Sequence, residues 1–141
     1  MRLDPGFDLA IPPGWNVAAR HQEGTKLLLH AATVRLPRDR GDYGSGVLIT
    51  LGADDVFLSL MEHGREAIGT ALFAERGMPK PRPSEFEPHA MQQVIPGMSA
   101  GQWFFTHGGR AWCLYAVLGS HSRRQVGAVK VNTMLKAMRI G

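Results

Sequence analysis

Cysteine is almost missing from this chain: Cys113 is the only one in 141 residues, so no intramolecular disulfide can form and no cysteine-based zinc cage can be built. Nothing therefore requires an oxidising compartment. Long hydrophobic runs are missing too, and none reaches the length of a membrane span. The opening MRLDPGFDLAIPPGW has Arg2 but lacks the apolar stretch of a signal peptide, because two acids and three prolines interrupt it. Together these absences predict a cytoplasmic protein. Phosphate-cradling and nucleophile motifs are absent as well. GDYGSG, residues 41–46, has neither the G-x-G-x-x-G order, the Walker lysine nor the G-x-S-x-G elbow, and reads as a flexible loop.

Acid is absent from the C-terminal third. Residues 1–87 hold all twelve Asp and Glu against ten Lys and Arg, whereas Arg110, Arg123, Arg124, Lys130, Lys136 and Arg139 face no acid after Glu87. A field of that sign attracts an acidic protein, a phosphate-bearing ligand or an anionic surface. It is too sparse for a dedicated nucleic-acid arm, so no specific nucleic-acid partner is expected.

What is present describes an ordinary globular chain. Hydrophobic residues make up 44% and charged residues 20%, and the length fits one domain over 1–141 with a single core. Phe7, Leu9 and Ile11 alternate with Asp8 and Ala10, the period of a half-buried strand, and Pro12-Pro13-Gly14 ends it before Trp15 and Val17 begin another. TKLLLHAATV, residues 25–34, reads as a strand buried on both faces, 36–46 as an exposed loop, and VLITL, 47–51, as a further strand.

A long helix is expected over 55–77, capped by Asp54 or Asp55 and closed by Gly77 and Pro79. Phe57, Leu60, Met61, Gly64, Ile68, Ala71 and Leu72 form its apolar face. Residues 78–89, with four prolines, read as an extended connecting loop and a candidate functional loop, with a proline-motif ligand as the alternative. GQWFFTHGGRAWCLYAVLG, 101–119, is a hairpin about Gly108-Gly109. His107 then faces Arg110, Phe105 faces Trp112, Phe104 faces Cys113, and Trp103 faces Leu114. A closing helix over 123–140 carries the stripe Val131, Met134, Leu135 and Met138. This order predicts an α+β domain, an antiparallel sheet with helices packed on it.

Few residues invite chemistry. The six histidines have no recognised ligand spacing, so no metal and no cofactor are expected. Cys113 sits mid-strand among aromatics and reads as a small apolar filler. Glu62 and Glu66, four apart on the expected helix, read as a solvated face, and no catalytic residue is assigned. The residual signal is aromatic. Trp103, Phe105 and Trp112 are either core beneath a helix or, with His107 and Arg110 at the edge, an exposed binding patch.

FDLAIPPGW, the late aromatic hairpin and the closing VNTMLKAMRI together resemble the PsbP-like superfamily over nearly the whole chain. That group includes the photosystem assembly protein it is named for, a Ran-binding protein, actinobacterial lipoproteins and effector chaperones of type VI secretion. The resemblance implies an α/β/α sandwich that works by binding and assembly, with Trp15 closing the core. No lipobox cysteine is present, which makes a cytoplasmic adaptor or chaperone the nearest analogy.

Three functions are therefore expected in turn. The first is a non-enzymatic protein-interaction domain that binds a protein partner or a second copy of itself through Trp103, Phe105, His107, Arg110 and Trp112. The second is a small-molecule or lipid carrier with a pocket between the long helix and the sheet. The third, an enzyme, requires His107, Arg110 and a carboxylate such as Glu62 to converge in one cleft.

Overall fold

The computed structural model describes residues 1–22 and 26–141; Glu23, Gly24 and Thr25, the last being the first residue of the strand expected over 25–34, lie outside the described residues. Five antiparallel strands form the larger sheet in the order β3 (Asn16–Gln22), β4 (Lys26–Ala32), β5 (Val56–His63), β7 (Arg110–Leu118) and β6 (Ser99–His107). A smaller antiparallel sheet joins β1 (Arg2–Asp4), β2 (Phe7–Leu9) and β8 (Met138–Ile140). With helices α1 (Ser45–Leu48) and α2 (Arg124–Lys136), the class is α+β.

The hairpin forms in the expected register, with His107 opposite Arg110, Phe105 opposite Trp112 and Trp103 opposite Leu114. Gly108 and Gly109 have φ of 61° and 73°, the left-handed pair a two-residue hairpin turn needs. Its pleat assigns Phe105, Trp112 and Leu114 to one face, where Ala128, Val131, Met134 and Leu135 of α2 and Phe7, Leu9, Met138 and Ile140 of the small sheet cover them. Trp15 packs half-buried against this cluster. The opposite face, with Phe57, Tyr115 and Val117, is closed by Val47, Leu48, Leu51, Met91 and Met98, which stand on one helical turn and irregular chain.

Three expectations fail. The segment 47–51 is not a strand; it is the single turn α1 and its exit. The long helix over 55–77 does not form: its first third is strand β5, and the rest makes short 3-10 turns at Arg65–Ala67 and Ala71–Phe73. The run VFLSLM satisfies either period, and it lies between β4 and β7 with both faces buried, so sheet pairing decides. Gly69, at φ 72°, breaks what would have been the helix's middle. The closing helix stops at Lys136, and Met138, expected on its stripe, is buried instead in β8 against Leu9.

Candidate functional site

The five expected binding residues do not make one surface. Phe105 and Trp112 are buried, and Phe7 meets the Trp112 ring edge-on with centroids 5.7 Å apart. The small sheet, which the sequence pattern leaves unpaired, supplies that cover. Trp103 is half-buried at the far side of β6, where it packs on Phe86 and donates its indole N–H to Glu85 Oε2 at 3.2 Å. His107 lines a shallow cleft with Asp8 and Arg139.

Arg110 sits in a different cleft, of about 670 Å³, beside His21, His63, Arg65 and Ile68. Its guanidinium lies 4.8 Å over the Trp112 ring and is held from both sides by carboxylates. Nε and Nη2 donate to Glu62 at 2.9 and 2.7 Å, and Nη1 and Nη2 donate to Asp4 at 3.0 and 2.7 Å. Hydrogen bonds from Arg110, then the Gly6 amide, hold the Asp4 carboxyl down at about 2 against an ordinary 3.8, outweighing its desolvation. Glu62, with Asp4, raises Arg110 in turn. Glu62 thus stands in a strand-end ion cluster and not on a helix with Glu66, which lies in the 3-10 turn. Arg110 and Glu62 do converge, but His107 is not with them.

A second polar hub occupies the opposite face. His30 is buried; its Nε2–H donates to the Asp42 carbonyl at 2.9 Å, which fixes Nδ1 as the acceptor from Arg40 Nε at 2.7 Å. Ser59 Oγ donates to the same carbonyl at 2.6 Å. Burial drives His30 down from 6.5 to about 4, so it is neutral at neutral pH. Gly44, in the same loop, has φ 75° and sits where a Cβ would run into the Phe57 ring, which is why GDYGSG is built on glycine and is ordered against the sheet.

The third feature is the outer edge of β6. Ala100 exchanges backbone hydrogen bonds with Glu87, while Thr106 accepts from Gly77 and donates to Glu75. The β7 ladder uses the alternate residues of β6, so the N–H and C=O groups of Gln102 and Phe104 point outward between these two clamps. Among the described residues they have no protein partner. A trough of about 570 Å³ runs along this gap, lined by Arg76, Met78, Lys80, Gln102, Trp103 and Phe104. Proline density in 78–89 does mark its wall, but no pattern in the sequence locates the opening.

Elsewhere the chemistry is quiet. Cys113 is buried, accepts from Gln102 Nε2 at 3.2 Å, and its thiol is pushed up by burial. Among the described residues no three His, Cys, Asp or Glu side chains could hold a metal, and no helix is long and apolar enough to cross a membrane. No family model, curated protein or solved structure matches the chain.

Proposed function

We propose that the chain is a non-catalytic protein-interaction domain of the PsbP-like kind, an adaptor or chaperone-like module of the cytoplasm, that takes its partner at the open edge of β6. The observation that carries this reading is that the outward-facing backbone groups of Gln102 and Phe104 have no partner among the described residues, beside a trough that exposes part of Trp103. Exposed strand edges are templates for another chain, and they are normally covered. Support for the non-catalytic reading comes from Arg110, four of whose five N–H donors are consumed by Asp4 and Glu62. Support for the PsbP-like reading comes from Trp15, which packs against the core beside the opening strand, and from the hairpin that precedes α2.

A protein other than a second copy is the favoured partner. The chain at Glu75–Gly77 and at Glu87 already occupies the neighbouring strand position at both ends of β6, so two β6 edges cannot run side by side. The carrier reading is less well supported, because the wall it assigned to a long helix is strand β5, and α2 is packed on the sheet through Val131, Met134 and Leu135.

A photo-crosslinking residue placed at Gln102, in cells producing the protein, is expected to give a protein adduct that the same residue at exposed Val129 on α2 does not. No adduct at position 102, or equal adducts at both, refutes the reading.

A further inference from the structure

Resting on that reading, we infer that the partner enters the β6 trough as a short extended peptide segment, adding as a strand opposite Gln102–Phe104, with an apolar side chain beside Trp103 and a carboxylate near Arg76 and Lys80. The geometry of the gap sets the length. Clamps at Ala100 and Thr106 leave five residues, 101–105, between them, of which Gln102 and Phe104 offer four outward backbone groups and Gly101, Trp103 and Phe105 offer none on that side. Only an extended backbone presents donors and acceptors at that repeat.

The pleat sets the side chains. A residue lying opposite Trp103 directs its side chain to the α2 face, where Trp103 and Met78 both pack at the margin of the core. That position calls for an apolar residue. Charge sets the neighbour. Glu85 is occupied by Arg82 and by the Trp103 indole, so the charges left at the trough are Arg76, Lys80 and Glu75, net positive. Neither Arg76 nor Lys80 has an ion-pair partner among the described residues. An acidic residue beside the apolar one is therefore favoured.

A random heptapeptide display library selected on the intact protein is the probe, and the best binder is synthesised. Enriched peptides are expected to pair Asp or Glu with an apolar residue and to shift the Gln102 and Phe104 amide resonances. Gln102→Pro removes an outward N–H without touching the β7 ladder, and is expected to weaken binding about tenfold, while Gln102→Ala stays within about twofold. N-methylation of the peptide backbone, read on the unaltered protein, gives the same loss at alternate positions and covers the case in which the proline variant fails to fold. Peptides that bind in the trough yet tolerate both changes overturn strand addition and leave the interaction reading standing. No enriched peptide, or amide shifts confined to the Arg110 cleft or α2, overturns both.

Discussion

The two faces of the large sheet are held closed by different chemistry. On the α2 face the cover is regular, a helix and a second sheet, and its interior is aliphatic and aromatic. Its strand ends carry the charged cluster of Arg110, Asp4 and Glu62, which ties β1 and the turn after it to β5 and β7. On the other face the cover is one helical turn and irregular chain, in which groups such as the Asp42 carbonyl and the Gln92 N–H have no backbone partner among the described residues. Side chains satisfy them: His30 and Ser59 both donate to the Asp42 carbonyl, Arg40 donates to the Pro37 carbonyl at 2.7 Å, and the Tyr115 hydroxyl accepts the Gln92 N–H at 2.8 Å. A helix or sheet brings its own hydrogen bonds to a core; a loop must be given them.

Breaking the charged hub should cost most. Arg110→Met leaves Asp4 and Glu62 facing each other in a largely enclosed site, and should lower unfolding free energy by about 4 kcal/mol in a urea titration. Acid should then separate the two faces. The folded protein holds a proton on His30 less well than the unfolded chain does, so stability is full above about 6.5 and falls as pH drops toward about 4. The loss approaches ~3 kcal/mol, and His63, also lowered by burial, acts in the same direction.

Asp4 has the opposite charge type and a later window. Its contribution is complete above 3.8 and is lost only as pH falls through about 2. At pH 4.5, amide exchange should therefore quicken around Asp42 while Gly6, which donates to Asp4 Oδ1, stays protected. His30→Gln should flatten the profile between 6.5 and 4. The smallest effect belongs to the exposed pair of Arg123 and Asp54: Asp54→Asn should leave the urea midpoint unchanged.

Legibility in the sequence followed the locality of the contacts. The hairpin register could be read because Gly108-Gly109 determines it within a few residues, and that register also fixes which β6 residues face outward. Trp103, Phe105 and Trp112 read from the sequence as either core beneath a helix or an exposed patch, and the pattern alone does not choose, because part of the cover over Phe105 and Trp112 comes from Phe7 and Leu9, about a hundred residues away. The β5 segment reads as a helix because its apolar residues fit helical spacing as well as a two-sided strand, and only its neighbours β4 and β7 choose. Arg110 and Glu62 were both marked as candidates. That Asp4 would complete their cluster was invisible, since nothing in the DPG turn announces a partner at position 110.

The pairing of β2 with β8 also has a history in time. Phe7 lies opposite Ile140 and Leu9 opposite Met138, so one edge of β2 has no mate until the ribosome has added some 130 further residues, roughly ten seconds of synthesis. Throughout that interval the core around Trp112 lacks Met138 and Ile140. The small sheet that roofs Trp112 is therefore completed only when residues 138–140 pair with β2.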